Sequence, residues 1–285
     1  MKTAWTMTGV LIMMAVLGGC SLADLRTGYV LTGTESQLAK EGRRLLELAV
    51  WRQDKSGRWD DFDAWTIETT DIWETGLIRR FTPLTANRQD IVFRFELDRS
   101  AAAMTFGDGR RAGEMLGVDE SGQFTERDAR RTYAPVKKLS NYLEPVRDYF
   151  FWPQSLVNYP TVLYAGADKL EGAEYHKIFV SGGEAEPSRT ADQYVVWLNK
   201  ANLRIDYIEF TLRSLLKSYR GVVRYSDYRP VEGISLPHRL TLLDRIGGRK
   251  YSHEFVVRGM SFTLPPRELG FAVEIRPFSL NLGLN

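Results

Sequence analysis

A succession of short β-type segments fills the second half of the chain and limits the folds open to it. The segments are separated by turns that contain Gly, Pro, Asn or Asp, such as residues 230–233 and 247–248. Connections this short join antiparallel neighbours, because parallel strands need crossovers of a dozen or more residues. The pattern predicts an antiparallel meander with strands at residues 177–181, 194–199, 203–212, 221–228, 236–243 and 251–258.

The first half contains strands of the same kind. From Ile91 to Leu97 large apolar side chains recur at every second position, which predicts a strand with one buried face. Residues 65–73 alternate in the same way, and residues 102–106 suit a hairpin partner for the 91–97 strand. The sequence therefore predicts a mainly β (α+β) fold.

Two segments have a helical period instead. Residues 34–51 begin with Thr34 and Gln37 at capping-box spacing, and an amphipathic pattern follows. We expect its apolar stripe to pack on the sheet, because a membrane-surface helix would carry mainly Lys and Arg on its polar face, whereas this one mixes both charge signs.

The second helical segment covers residues 135–151 and carries an apolar stripe of its own. Pro145 is expected to kink or split this helix, since proline lacks the N–H that a helix interior needs. Pro153 and Pro160 are expected to end it.

The N-terminus has the order of an export signal. Lys2 precedes an apolar run at residues 9–17, and two glycines then lead to Cys20. The run is shorter than the ~20 residues that a membrane-spanning helix needs. An ordinary cleaved signal followed by a chance cysteine is the alternative. Cys20 is the only cysteine in the chain, so an intramolecular disulfide is excluded.

The segment ending at Cys20 resembles the lipobox of bacterial lipoproteins. The resemblance implies cleavage before Cys20, lipidation of its thiol and a stable acyl anchor. Ser21 stands where Asp would signal retention at the inner membrane, so the resemblance favours the outer membrane. We divide the chain into a signal peptide (1–19), a lipidated tether (20–33) and a single domain (34–285).

Three segments in order carry a further likeness. They are YAGADKLEGAEYHK (residues 164–177), DQYVVWLNKANLRIDYIEF (192–210) and GVVRYSDYRPVEGISLPH (221–238). Together they resemble the LolA/LolB lipoprotein-carrier superfamily, over roughly residues 164–278. The resemblance implies a curved antiparallel sheet, an open half-barrel, wrapped around a few helices. It also implies an apolar cavity between sheet and helices that holds acyl chains or other hydrophobic ligands.

Large apolar side chains on strand faces are the candidates for lining such a cavity. Plain core packing is the alternative for them, and the resemblance favours the cavity. The candidates are Trp65, Ile67, Trp73, Phe93, Phe95, Met104, Phe106 and Trp197.

The motifs of common enzymes are missing from the sequence. There is no Gly-x-Ser-x-Gly, no HExxH, no paired-cysteine motif and no phosphate-binding glycine loop. His176, His238 and His253 are scattered over predicted strands. We predict no catalytic residue, no metal and no cofactor. A formal net charge of +2 also argues against nucleic-acid binding.

We therefore expect a lipid-anchored protein of the outer membrane, facing the periplasm, that binds a lipid, an acyl chain or another hydrophobic molecule. Lipid or lipoprotein trafficking is the process that the resemblance implies. The alternative is a non-catalytic module that docks an envelope protein through a sheet edge or through arginine pairs. A hydrolase acting on envelope glycans or lipids is a third hypothesis.

Overall fold

The computed structural model describes residues 22–26, 33–97, 101–214 and 216–265. The predicted signal peptide, Cys20 and most of the predicted tether lie outside these residues. All thirteen strands in the described part of the chain belong to one antiparallel sheet, ordered β6-β5-β4-β3-β2-β1-β13-β12-β11-β10-β9-β8-β7. The sheet is curved and does not close into a barrel, which confirms the predicted fold class.

Strands that are hydrogen-bonded neighbours in the sheet are consecutive in sequence, except for β1 and β13, which pair over a long sequence distance. Their bounds are β1 Ala64–Trp73, β2 Arg88–Glu96, β3 Ala102–Phe106, β4 Met115–Asp119, β5 Gly122–Arg127, β6 Arg130–Tyr133, β7 Thr161–Leu170, β8 Ala173–Ser181, β9 Gln193–Asn199, β10 Ile205–Leu212, β11 Leu216–Val231, β12 Ile234–Leu243 and β13 Tyr251–Thr263. The α-helices are α1 Glu35–Gln53, α2 Gly76–Arg79 and α3 Ser140–Ser155, and single 3-10 turns are Arg58–Asp61, Gly109–Arg111 and Leu156–Asn158.

Helix α1 begins as its sequence predicts. Both halves of the capping box form, between the Thr34 side chain and the backbone of Gln37 and between the Gln37 side chain and the backbone of Thr34. The helix lies against edge strand β7 at Gly42, where an added Cβ would lie 2.6 Å from the backbone nitrogen of Tyr164. Glycine is therefore needed here for close approach, which places α1 across the edge of the sheet.

Helix α3 differs from its prediction. It begins at Ser140 rather than near residue 135, and it runs as one helix through Pro145 and Pro153, so the predictions that Pro145 would split it and that Pro153 would end it are wrong. The helical register ends before Pro160, as predicted. One face of α3 is buried, including Val146 and Phe150. We attribute the continuity to this burial, because tertiary packing overrides local propensity when it removes enough apolar surface from water.

Two apolar cores lie on opposite faces of the sheet. On the inner face, defined as the face that α3 covers, strand side chains pack with α3 and with the second half of α1, including Leu46. On the outer face a smaller core contains Leu38 from the first half of α1 and Leu25 from the N-terminal segment 22–26. The inner core is thus the one enclosed between sheet and helices, where a ligand site was predicted.

Candidate ligand-binding site

A cavity of about 420 Å³ lies at one end of the inner face. This is the end at which β1, β10 and β12 finish and β13 begins, and α3 forms the opposite wall. Most lining side chains are apolar or aromatic, which suits hydrocarbon. They are Trp73, Ile78, Phe81, Thr82, Asn141, Tyr142, Pro145, Val146, Tyr149, Leu212, Tyr219, Leu242, Ser252 and His253.

The connection between β1 and β2 forms part of the rim. It contains α2, and its apolar side chains face water: Leu77, Ile78 and Phe81 are 67%, 51% and 63% exposed. Ile78 and Phe81 also line the cavity. Exposed large apolar side chains gathered in one connection mark an interaction site rather than core packing.

A buried polar cluster lies beside the cavity. The carboxylate of Asp71 is fully buried, and the Tyr142 hydroxyl donates a hydrogen bond to its Oδ2. His253 Nε2 lies 2.7 Å from Asp71 Oδ1, and the Trp73 ring stacks on His253 with centroids 3.8 Å apart. These partners are what makes a carboxylate tolerable inside an apolar core. Burial, followed by the nearby Asp71 charge, raises the pKa of Tyr142 well above its ordinary value.

Tyr142 and His253 connect this cluster to the cavity, because both also line its wall. The cavity therefore combines largely apolar walls with a few polar side chains. A polar end of a ligand would find hydrogen-bonding partners at Tyr142 and His253, and also at Thr82, Asn141 and Ser252 in the same wall.

A more polar groove of about 140 Å³ lies next to the cavity and contains Glu144, Asp148 and Asp192. Desolvation raises the pKa of Asp148 to about 6, and the charges of Asp192 and Glu144 add to the rise while Arg147 opposes it. Asp192 Oδ1 accepts hydrogen bonds from the Thr211 hydroxyl (2.8 Å) and the Arg213 backbone N–H (2.7 Å).

The structure gathers seven of the eight predicted lining residues on the inner face and places one elsewhere. Trp73 lines the cavity, whereas Trp65, Ile67, Phe93, Phe95, Met104 and Phe106 are buried in the inner core. Aromatic side chains of α3 occupy the space in front of them: Phe150 lies 5.8 Å from Trp65 and Phe151 lies 5.8 Å from Phe95, between ring centroids.

Trp197 lies on the outer face, where its indole Nε1 donates to Glu209 Oε1 at 2.8 Å. The structure therefore does not bring it together with the other seven. A role of any of the eight residues in touching a ligand stays a prediction.

Sequence reasoning missed the residues that α2 and α3 contribute to the cavity. One signal was present: Leu77, Ile78 and Phe81 are large apolar residues in a connection between two strands, where polar turn residues are usual. No such signal marked the residues of α3 that line the cavity, because the same apolar stripe of α3 also packs in the inner core.

Among the described residues, no three or more His, Cys, Asp or Glu side chains come together in a way that would hold a metal ion. The three histidines have separate partners: His176 lies near Tyr164, His238 near the Leu236 carbonyl and His253 on Asp71. None of the described helices has the length and apolar character needed to cross a membrane.

Comparison with known proteins finds similarity in structure alone. The sequence matches no protein-family model, and no curated protein matches it. A domain named as an outer membrane lipoprotein-sorting protein, from Vibrio parahaemolyticus, is 13% identical with a TM-score of 0.49, covering 81% of this chain and 95% of that chain. A DUF1329 family protein from Desulfovibrio piger is 11% identical with a TM-score of 0.49, covering 82% and 95%.

A LolA superfamily protein from Nitrosomonas europaea is 10% identical with a TM-score of 0.46, covering 79% of this chain and 94% of that chain. The similar structures thus include a member of the superfamily that the three sequence segments resemble. Because identities and TM-scores are this low, these likenesses say nothing about activity or ligand.

Proposed function

We propose that this protein binds a hydrophobic ligand, a lipid or an acyl chain, in the cavity between α3 and the inner face of the sheet. The observation that carries the proposal is the cavity itself, about 420 Å³ with largely apolar walls. That volume lies within the range of small-molecule sites, about 300–1,000 Å³. The exposed apolar rim at Leu77, Ile78 and Phe81 supports a path for such a ligand.

The proposal includes an acyl anchor at Cys20 and a place in the outer membrane, facing the periplasm. The N-terminal segment is held at the cavity end of the sheet: Ala23 N–H donates to the Lys217 carbonyl at 3.0 Å, and Arg213 donates to the Ala23 carbonyl. Arg213 directly follows Leu212, which lines the cavity, and Lys217 lies two residues before Tyr219, which also lines it. Cys20 is three residues from Ala23, at most about 11 Å of extended chain. An anchored chain would therefore hold its cavity close to the bilayer.

Burial of hydrocarbon supplies the binding free energy. Each buried methylene contributes ~0.8 kcal/mol, so about ten contribute ~8 kcal/mol before the costs of association are subtracted. We therefore expect a dissociation constant in the micromolar range or weaker, since ~8 kcal/mol corresponds to about 1 μM.

The test is displacement of a fluorescent fatty acid from the purified chain. Leu212→Trp adds a bulky ring to the cavity wall, and Leu170→Trp makes the same change at a half-buried position of β7 away from it. We expect Leu212→Trp to weaken probe binding at least tenfold and Leu170→Trp to leave it unchanged, with circular dichroism showing that both fold. Equal binding by the two variants and the parent would refute the cavity as the site.

The anchor is tested separately by acyl labelling in a bacterial host. We expect the parent chain to carry label and to sediment with membranes, and Cys20→Ser to lose both. Labelled, membrane-bound Cys20→Ser would contradict lipidation at that residue without touching the cavity proposal.

A further inference from the structure

A second pocket, of about 340 Å³, lies at the opposite end of the same strands. Its walls are the last turn of α1, the turn between β9 and β10, and residues of β10, β11 and β12. Ile205 lines this pocket and Leu212 lines the apolar cavity. At ~3.3 Å per residue, the two sites are about 23 Å apart along β10, so they are separate.

Three cationic side chains line the pocket: Arg52, Lys55 and Arg204. Within the part of the chain that the structure describes, none of the three forms an ion pair. Arg52 lies in the last turn of α1, where a cation also complements the helix dipole. The guanidinium of Arg204 lies over the Tyr228 ring at 5.2 Å, which orients it without neutralising it. The pocket therefore holds surplus positive charge.

The same pocket contains hydrogen-bond donors. The Gln53 side-chain nitrogen Nε2 is buried and has no hydrogen-bond partner among the described residues. An unpaired buried donor costs free energy. Asn202 and Ser235 line the pocket as well, and Asn202 uses its Oδ1 to accept from the Arg204 backbone N–H at 2.9 Å.

The carboxylates nearest in sequence have other partners. Asp54 accepts hydrogen bonds from the Trp59 backbone N–H at 2.8 Å and the Ser56 hydroxyl at 3.0 Å. Asp206 accepts from Asn199 at 2.9 Å and from Tyr175, a residue of the outer core, at 3.1 Å. Among the described residues, neither carboxylate forms a hydrogen bond or an ion pair with the three cations, so the surplus positive charge is left for a ligand.

We propose that this pocket binds a phosphate-bearing anion. A phosphate group offers several acceptor oxygens and carries more than one negative charge near neutral pH, which matches several cations and amide donors around one space. The phosphate has two sources with the same chemistry, a soluble phosphate compound or the headgroup of an anionic lipid. The inference does not depend on the apolar cavity being occupied.

The test uses isothermal titration of the full chain at low salt with inorganic phosphate. Lys55→Gln and Arg204→Gln each remove one cation from the pocket, and Arg130→Gln removes an exposed cation from edge strand β6. We expect the parent to bind phosphate, each pocket variant to bind about two- to fivefold more weakly, and Arg130→Gln to match the parent, since a surface charge contact is worth up to about a fivefold change. No binding, or equal weakening by all three variants, would overturn the proposal.

A second arm separates the two sources. Vesicles of phosphatidylglycerol are compared with vesicles of phosphatidylcholine, using the parent and Lys55→Gln. A preference for phosphatidylglycerol that Lys55→Gln reduces assigns the pocket to a lipid headgroup. Binding of inorganic phosphate with no such preference assigns it to a soluble phosphate compound.

Discussion

Replacing Tyr142 by Phe tests the buried polar cluster beside the cavity. Tyr142 is 2% exposed and Asp71 is fully buried, so the substitution removes a hydrogen bond from a carboxylate that water does not reach. Asp71 then keeps His253 as its remaining partner in the cluster. A hydrogen bond to a charged group contributes about 1.5–3 kcal/mol, so we expect the free energy of unfolding to fall by ~2 kcal/mol. For a chain of this size the melting temperature should fall by roughly 4–8 °C.

Tyr133→Phe is the matched control for this prediction. The Tyr133 hydroxyl also donates to a carboxylate, Asp119 Oδ2 at 3.0 Å, but Tyr133 is 48% exposed. Water replaces the lost bond there, so the expected change is within about 0.5 kcal/mol. Thermal and urea unfolding followed by circular dichroism measure both variants. Similar losses in the two, or no loss in Tyr142→Phe, would refute the reasoning that burial makes this hydrogen bond strong.

Two further predictions concern helix packing and pH. Gly42→Ala should lower the melting temperature by a few degrees, because a Cβ 2.6 Å from the Tyr164 backbone nitrogen imposes an overpacking cost of ~1–3 kcal/mol. This cost exceeds the ~1 kcal/mol gain in helix propensity. The control, Glu47→Ala at an exposed position of the same helix, should change the melting temperature little. Asp148 has a folded-state pKa of about 6 against 3.8 ordinarily, so its contribution to stability is present below about pH 4 and is lost as pH rises through about 6. Asp148→Asn should therefore reduce the fall in the urea unfolding midpoint over this pH window. An NMR titration midpoint of Asp148 near pH 4 would contradict the raised pKa.

Local sequence patterns predicted much of the fold. Thr34 and Gln37 predicted the start of α1, and the alternation from Ile91 to Leu97 predicted strand β2 with its buried face. These features depend on residues that are close in sequence. The continuity of α3 through Pro145 was not readable in this way, because the contacts that hold it come from distant strands such as β13, whose Phe255 packs on Phe150.

The candidate site was less predictable than the fold. Strand β9 is buried on both faces, so Trp197 and its neighbour Val196 have the same apolar character although they belong to opposite cores. Periodicity separates two faces of a strand but does not say which face meets the helices. Whether a strand residue meets a cavity or a helix side chain depends on where α3 lies, which only long-range packing determines.

The most direct test of a ligand-holding cavity is native mass spectrometry of the chain released gently from bacterial membranes. We expect an additional noncovalent mass, corresponding to one lipid or fatty acid, that Leu212→Trp loses and Leu170→Trp keeps. A parent chain that shows no such mass, or an adduct that Leu212→Trp retains in full, would contradict a ligand-holding cavity and leave a protein whose inner face is only a core.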